Sequence, residues 1–225
     1  GKVVYERAVG WADKESGRRM TTDALFRIAS QTKALTSIAV MILFEEGKIA
    51  LDDPVSRFIP SYARTTVMVN GRQLPAKRPI TIRDLLTHTA GINYGQQPEF
   101  AALYESKGLG PAAGFGWYFA DKDEPICTTM ERLGTLPFES QPGEKYVYGY
   151  NTDILGVVVE KVSGQTLAEF FQKRITGPLG LADTQFYLPP AQKDRLTTVY
   201  GATKDGKLER APTLVVWNTR WRPDQ

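Results

Sequence analysis

The chain has 225 residues, of which 42% are hydrophobic and 24% are charged, the balance of an ordinary globular protein. The net charge is +3 and the basic residues are scattered, which argues against nucleic-acid binding. A single cysteine, Cys127, excludes an intrachain disulfide, and with a single histidine, His88, it argues against a zinc site. No apolar run is long enough to span a bilayer and no signal peptide is visible. We expect no cofactor and no metal, and the sequence leaves the compartment, cytoplasmic or periplasmic, open.

The first third of the chain predicts a strand, a long helix and a short helix. Residues 2–11 predict the strand, and a turn follows near residues 14–17. Residues 30–46 predict a helix that is apolar nearly all round and ends at Gly47, so we expect it in the core. After it, Asp52-Asp53 followed by Pro54 predicts the start of a short helix.

The middle of the chain predicts mostly helices. Residues 60–80 contain several breakers and predict a loop or small hairpin around Asn70-Gly71. Thr81 and Asp84 form a capping-box pattern that opens a helix to about residue 87. Residues 93–122 predict loops with one short helix near 98–106, and residues 137–143 predict irregular structure. Further helices are predicted over 123–135, at about 151–163 with Gly164 at the end, and over 166–176.

Short strands are predicted again near the end, over 184–188 and 195–210, the latter with a turn at Asp205-Gly206. This order of elements indicates an α/β (α+β) fold in which a helical part interrupts an α/β layer. We expect the layer and its long helix over residues 1–50, a mostly helical domain over 51–190, and a return toward the layer over 191–225. A cleft between such parts is a common position for a ligand site.

Ser30 and Lys33 form a Ser-x-x-Lys pattern at the start of the long helix. The i,i+3 spacing places both side chains on one helix face, and the helix start favours developing negative charge. A lysine near the start of a buried helix needs a partner or loses its proton, and both cases suit a base that activates a serine. Taken alone, the pattern also fits a capping serine with a solvent-facing lysine.

A second unusual stretch covers residues 141–156, where Tyr146, Tyr148 and Tyr150 precede an apolar helix. A tyrosine at a helix entrance can project its hydroxyl into a cleft, and beside a lysine the two groups can share one proton. The alternative is that these tyrosines are packing residues whose hydroxyls are hydrogen-bonded.

Taken together, the chain resembles the serine β-lactamase and penicillin-binding protein superfamily, most closely its class C-like esterase branch, the family VIII-type carboxylesterases. The blocks that carry the resemblance occur in family order and span most of the chain: FRIASQTK (26–33), GKIALDDPV (47–55), IRDLLTHTAG (82–91), QPGEKYVY (141–148) and GPLGLADT (177–184). The resemblance implies a β-lactamase/transpeptidase-like fold, with an antiparallel sheet flanked by helices and a mostly helical domain.

The resemblance also implies roles for individual residues. Ser30 would be the acylated nucleophile and Lys33 its general base, and the family's Tyr-X-Asn motif maps onto Tyr148-Gly149-Tyr150, with Tyr148 as the reactive tyrosine. Tyr150 stands where β-lactamases carry the asparagine that helps hold the substrate amide. This departure favours an ester hydrolase over an efficient β-lactamase.

The family's third motif, Lys-Thr-Gly, His-X-Gly or Trp-Gly-Gly on a late strand, is not found in this sequence. In the family that strand supplies one of two oxyanion-hole donors, and loss of one donor costs roughly 10²–10³ in rate. The expectation is that the C-terminal strands are missing, so that these residues are a fragment, a cleaved product or part of a longer protein.

Several further residues are candidates for the site. A Ser-His-Asp triad would have to use His88, but the resemblance implies a structural role for the segment that contains it. Tyr94, Phe115, Trp117, Tyr118 and Phe119 either line a substrate pocket or pack a loop that covers the site. The substrate-binding candidates are Tyr150, Tyr94 and Trp117.

The sequence thus predicts a serine hydrolase that works through an acyl-enzyme, a carboxylesterase on short-chain esters with weak or no β-lactamase activity. The alternatives are a β-lactamase or a penicillin-binding protein acting on D-Ala-D-Ala peptides, and a non-catalytic relative that keeps the fold for binding. The expected partner is a small ester or β-lactam, without nucleic acid or a membrane span. The oligomeric state stays open.

Overall fold

The computed structural model describes residues 2–109 and 124–211, which form helices and three small sheets. The mixed α/β architecture predicted from the sequence is confirmed. The strands are β1 (Trp11–Asp13), β2 (Arg18–Arg19), β3 (Thr66–Val69), β4 (Arg72–Pro75), β5 (Pro137–Phe138), β6 (Tyr200–Ala202) and β7 (Leu208–Arg210). The helices are α1 (Thr32–Glu45), α2 (Ile82–Leu86), α3 (Pro98–Ser106), α4 (Ile126–Leu133), α5 (Asn151–Ser163) and α6 (Leu167–Phe171). Short 3₁₀ turns cover Ala29–Gln31, Val55–Arg57, Pro60–Arg64 and Pro190–Arg195, and a π-helical turn, Gln172–Thr176, extends α6.

Helix α5 is the centre of the packing, because it contacts α1, α2, α4 and α6. Its apolar side chains Ile154, Val157, Val158 and Val159 are all 0% exposed. Burial of each such side chain stabilises the fold by roughly 1.5–3 kcal/mol. The first residues of α5 are therefore fixed in position relative to α1, which carries the candidate nucleophile at its start.

Helix α1 is not buried on all sides, which corrects the expectation drawn from its apolar sequence. Thr36, Ala39, Val40 and Leu43 are buried, whereas Ile38, Met41 and Phe44 are 47%, 37% and 40% exposed. An apolar sequence pattern shows which faces a helix could bury. It does not show whether another element of the fold covers each of these faces.

The sheets are small and their pairing is local, apart from one parallel contact. β1 pairs with β2, and β6 with β7, as antiparallel ribbons. β3 pairs antiparallel with β4 and parallel with β5. The predicted irregular segment 137–143 therefore starts with a short strand. The predicted division at residues 50 and 190 stays a prediction.

Two strand predictions are wrong and several local ones are confirmed. Within 2–11 only Trp11 belongs to a strand, and 184–188 contains no strand. Alternating sequence patterns of this length give no strand without a partner to pair with. The Asn70-Gly71 hairpin is confirmed, with φ of +49° and +73° at its two turn residues. Gly164 ends α5 with a φ of +66°, as the sequence predicts.

The capping box of α2 is confirmed and is part of a larger ion pair. The Thr81 side chain accepts from the Asp84 N–H, and the Asp84 carboxylate accepts from the Thr81 N–H. Arg78 donates to both Asp84 oxygens, at 2.6 and 2.8 Å. Burial by itself would raise the pKa of Asp84, but the hydrogen bonds from Arg78 and Thr81 outweigh it and the pKa is lowered.

We expect Asp84→Asn to lower the free energy of unfolding by about 1–3 kcal/mol, because it removes a charged acceptor of a buried network. A lowered pKa in the folded state stabilises the protein above the unfolded-state pKa of about 4, and this contribution is lost as the pH falls below it. Urea unfolding of the full-length protein at pH 7 and at pH 3 measures both effects. Asp52→Asn is the control, since this carboxylate is 80% exposed and pairs only with Arg83 among its described contacts. Equal stability losses in the two variants would contradict the prediction.

Among the described residues, no helix is long and apolar enough to cross a membrane.

Candidate active site

Ser30 lies in the 3₁₀ turn Ala29–Gln31 that leads into α1, and its side chain is exposed. Lys33 follows in the first turn of α1 and is half-buried rather than fully buried. Its Nζ donates a hydrogen bond to Ser30 Oγ at 3.1 Å. The i,i+3 spacing thus brings the two side chains together, as the sequence predicts.

The backbone just before Ser30 is strained. Ala29 has a φ of +42°, in the left-handed region that residues with a Cβ rarely adopt. Among the described residues, only Asn70 and His88 share this feature outside glycine, and Asn70 lies in a hairpin turn. Strained residues of this kind concentrate at functional sites, where the surrounding structure holds them in place.

Residues far along the chain hold the segment that precedes Ser30. The Leu25 N–H donates to the Arg195 carbonyl at 2.8 Å, and the Thr197 N–H donates to the Leu25 carbonyl at 2.9 Å. The Arg27 guanidinium donates to the Thr197 carbonyl at 3.2 Å. The position of the serine therefore depends on a contact between the two ends of the described chain.

Tyr148 completes a three-residue cluster around the serine oxygen. Its hydroxyl donates to Ser30 Oγ at 2.7 Å, although the two residues are 118 positions apart. Lys33 Nζ lies 4.8 Å from the centroid of the Tyr148 ring. The structure thus places Tyr148, and not Tyr150, beside the serine.

The surroundings of Tyr148 favour its ionised form. Burial raises the pKa of this tyrosine, but hydrogen bonds with Lys33 and Ser30, the charge of Lys33 and a hydrogen bond with Tyr94 together lower it below the ordinary value. A tyrosine with a lowered pKa accepts a proton from an alcohol more readily at neutral pH. The Lys33–Tyr148 pair can therefore receive the proton of Ser30.

The predicted substrate-binding residues fall into three different positions. Tyr94 is half-buried, and its ring meets that of Tyr148 edge-on at 5.6 Å, at the border of the cluster. Tyr150 is only 3% exposed and packs against Tyr94 and Tyr104, so its side chain belongs to the core rather than to the cleft. Trp117 lies outside the described residues, as do Phe115, Tyr118 and Phe119.

A polar network ties the Tyr94 loop to the Tyr148 loop. Glu139 Oε2 accepts from Asn93 Nδ2 and from Gln97 Nε2, both at 3.0 Å. Glu139 Oε1 accepts from Lys145 Nζ at 2.8 Å. One carboxylate thus connects residues on either side of the aromatic cluster.

Gly149 allows the Tyr148 loop to lie directly against residues 92 and 93. A Cβ at this position would lie 2.2 Å from the Ile92 carbonyl oxygen and 2.6 Å from Asn93 Cα. Because backbone atoms cannot move aside as a flexible side chain would, a larger residue must displace the loop.

We expect Gly149→Ala to lower the free energy of unfolding by about 1–3 kcal/mol through overpacking, and to lower kcat by moving Tyr148. Gly201→Ala is the matched control, since a Cβ there would meet no atom within 4 Å. Thermal unfolding and ester hydrolysis of both variants in the full-length protein check this. Unchanged unfolding in Gly149→Ala would show that the loop tolerates the methyl group.

Three residues border this cluster that sequence reasoning did not place in the site: His88, which was given a structural role, and Asn151 and Asp153, which were given none. The His88 ring stacks on Tyr148, and Asn151 Nδ2 lies 3.0 Å from His88 Nδ1. In the first turn of α5, burial raises the pKa of Asp153 to about 6, and the charge of Lys33 partly opposes this rise. No local sequence signal marks these residues, because their contacts come from the packing of α5 against α1 and α2.

Two further observations concern the surroundings of the site. Helix α1 also borders a groove of about 640 Å³, lined by Ile28, Thr32 and Leu35, by α6, and by residues 176–177 and 180–187. Ser30, Lys33 and Tyr148 are not in its lining. Within residues 2–109 and 124–211, no group of three His, Cys, Asp or Glu side chains is placed to hold a metal ion.

Comparison with known proteins identifies the family to which this chain belongs. The chain is 36% identical to the esterase EstB of Burkholderia gladioli over 210 residues, a match that covers 93% of this chain and 49% of EstB. A solved structure of EstCE1, described as a hydrolase with promiscuous acyltransferase activity, is 31% identical with a TM-score of 0.77 and covers 94% of this chain and 52% of that chain.

The octameric penicillin-binding protein homologue from Pyrococcus abyssi is 28% identical with a TM-score of 0.64, over 94% of this chain and 44% of that chain. The chain thus spans about half the length of the relatives it matches. These likenesses confirm the β-lactamase/transpeptidase-like fold. The family model described as "Beta-lactamase" matches residues 1–220, and the chain belongs to the β-lactamase family.

Proposed function

We propose that the protein is a serine hydrolase that works through an acyl-enzyme and prefers short-chain esters. The observation that carries the proposal is the convergence of the Tyr148 hydroxyl, at 2.7 Å, and the Lys33 amine, at 3.1 Å, on Ser30 Oγ. Two groups that can exchange protons on one exposed serine are what nucleophilic acyl transfer requires. Family membership and the resemblance to an esterase and a hydrolase support the same chemistry.

In the first half of the reaction, Ser30 Oγ attacks the ester carbonyl and its proton passes to the Lys33–Tyr148 pair. Tyr148 is the nearer of the two, and in the reactive state it is ionised, as its lowered pKa favours, so its oxygen takes the proton. The positive end of the α1 dipole, next to Ser30, favours the negative charge that develops on the carbonyl oxygen. Tyr148 then returns the proton to the alcohol as the C–O bond breaks, which leaves Ser30 acylated.

In the second half, water takes the place of the alcohol. The Lys33–Tyr148 pair accepts a proton from the water as its oxygen attacks the acyl carbon. The acid leaves when the bond to Ser30 Oγ breaks, and the pair returns the proton to Ser30. The enzyme thus ends in its starting protonation state, and one ester and one water give one acid and one alcohol.

The segment that contains Tyr148 favours esters over β-lactams. In this family a β-lactamase carries an asparagine two residues after the reactive tyrosine, whereas this chain has Tyr150, which is buried. The next residue, Asn151, is 0% exposed, and its amide faces His88 and two backbone carbonyls. Residues 148–151 therefore offer no side-chain amide to an amide substrate.

Steady-state kinetics on the full-length protein test the preference. We expect kcat/KM for p-nitrophenyl acetate or butyrate to exceed that for a chromogenic cephalosporin by about a hundredfold or more, since an amide substrate would lack a polar partner. The likeness to a penicillin-binding protein homologue makes release of D-alanine from a D-Ala-D-Ala peptide the third assay. Faster cephalosporin or peptide turnover would overturn the ester preference. No turnover and no labelling by an ester-mimicking phosphonate would overturn the hydrolase proposal.

A further inference from the structure

His88, the single histidine of this sequence, lies directly behind the candidate tyrosine. Its ring is nearly parallel to that of Tyr148, with centroids 5.1 Å apart and an interplanar angle of 25°. The ring of Tyr146 contacts it at 5.7 Å. No described hydrogen bond joins His88 to Ser30, so its contact with the site passes through Tyr148.

The backbone of His88 is also engaged with the Tyr148 loop. The Val147 N–H donates to the His88 carbonyl at 2.7 Å, immediately before Tyr148. His88 has a φ of +55°, which makes it, with Ala29, one of two strained residues at the site. Such a conformation persists only where the surroundings impose it, and here it sets the carbonyl toward the residue that precedes Tyr148.

The contacts of Asn151 favour one of the two neutral tautomers of His88. Asn151 Nδ2 lies 3.0 Å from His88 Nδ1, 3.3 Å from the Val147 carbonyl oxygen and 3.4 Å from the Ile92 carbonyl oxygen. Carbonyl oxygens can only accept, so the amide must present its NH₂ group on this side. Of the three acceptors around this NH₂ group, Nδ1 is the nearest, which favours donation from Asn151 to Nδ1 and a neutral imidazole with its proton on Nε2.

We propose that His88, held as its neutral Nε2–H tautomer by Asn151, is a positioning residue that fixes the ring of Tyr148 against Ser30. The proposal rests on the function proposed above. Asn151 is the first residue of α5, so the orientation of Tyr148 would be set by the central helix of the fold rather than by the loop alone. That is a rigid support for a group that must keep a 2.7 Å contact.

The charges around the ring agree with a neutral His88. Burial lowers the pKa of His88 and the charge of Lys33 lowers it further, whereas a hydrogen bond with the Val147 backbone opposes this in part. The ionisable groups that face the ring are Lys33 on α1 and Tyr146 and Tyr148 on the loop. Asp153 on α5 interacts with Lys33. A protonated His88 would oppose the Asn151 donor and add a second cation beside Lys33.

The tautomer can be measured directly and independently of activity. The full-length protein is labelled with ¹⁵N-histidine, and the His88 signals are assigned by comparison with His88→Asn. At pH 7.5 we expect an unprotonated Nδ1 and a protonated Nε2. A protonated Nδ1, as the other tautomer or as imidazolium, would overturn the role given to Asn151.

Kinetics of two substitutions then test positioning. His88→Asn tolerates a positive φ and keeps an acceptor for Asn151 but removes the ring, whereas His88→Phe keeps a ring and removes the acceptor. We expect each to lower kcat for a p-nitrophenyl ester by about 10- to 100-fold with little change in KM, since a displaced general acid–base costs roughly this much. The acid limb of the pH profile should also move to higher pH, because Tyr148 released from Lys33 and Ser30 regains a higher pKa.

Tyr146→Phe is the control, since Tyr146 touches the same ring, its side chain is 65% exposed, and the substitution removes only its hydroxyl. An unchanged kcat and pH profile in both His88 variants, with a wild-type enzyme that hydrolyses the ester, would overturn the positioning role alone. A wild-type protein that neither hydrolyses the ester nor takes up the phosphonate would instead overturn the proposed function. The NMR measurement would still test the tautomer of His88 in that case.

Discussion

Ser30→Ala should reduce ester turnover by about four orders of magnitude or more, since removal of a nucleophile leaves only binding and electrostatic stabilisation. The substitution removes the oxygen on which Lys33 and Tyr148 converge, at 3.1 and 2.7 Å. The side chain is exposed, so the fold loses little packing and thermal unfolding should be nearly unchanged. The measurement is kcat for a p-nitrophenyl ester in the full-length protein, together with intact mass after exposure to an ester-mimicking phosphonate.

Ser37→Ala is the matched control for this prediction. Ser37 lies seven residues after Ser30, within α1, and is half-buried. The control should retain turnover and gain one phosphonate adduct on the peptide that contains Ser30. Ester turnover by Ser30→Ala above a few per cent of the wild-type rate would rule out the acyl-enzyme on this serine.

Tyr148→Phe should lower kcat by about 10²–10⁴-fold, the usual contribution of a general acid–base group. Phenylalanine keeps the ring that stacks on His88 and meets Tyr94, so the substitution removes only the hydroxyl and its hydrogen bonds with Ser30, Lys33 and Tyr94. In the wild type the pKa of Tyr148 is lowered, so kcat/KM should rise with pH and level off below pH 10, the ordinary value for tyrosine. Phenylalanine cannot titrate, so the variant should lose the part of this rise that belongs to Tyr148.

Tyr146→Phe separates this effect from a general disturbance of the loop. Tyr146 lies two residues before Tyr148 and is 65% exposed. Its variant should keep the wild-type rate and pH profile. If the rate of Tyr148→Phe matched that of Tyr146→Phe, Lys33 alone would be the base and the assignment of Tyr148 would be wrong.

Features decided by neighbouring residues could be predicted from the sequence. The Thr81–Asp84 capping box, the Asn70-Gly71 hairpin and the end of α5 at Gly164 each depend on fewer than six consecutive residues. The Ser30–Lys33 contact is of the same kind, since helix geometry sets the distance between residues three apart. Tyr148 could be placed beside them only through the family resemblance.

Features decided by packing between distant residues could not be predicted. The exposure of Ile38, Met41 and Phe44 depends on which elements cover α1, and an apolar sequence does not contain that information. Tyr148 and Tyr150 both precede an apolar helix, so the sequence does not distinguish them. In the structure, the side chain of Tyr150 at the start of α5 points into the core. The His88–Asn151 contact joins residues 63 positions apart, and neither residue has a neighbour that signals it.

The link between Leu25 and residues 195–197 determines when this site can form during protein synthesis. Arg27 and Thr197, which bond to each other just ahead of Ser30, are 170 positions apart. A ribosome needs roughly 10–30 s to add that many residues, and during this time α1 can form while Ser30 lacks its final backbone conformation. We therefore expect Ser30 to reach its final position beside Lys33 only once the late segment has been made and has paired with the early one.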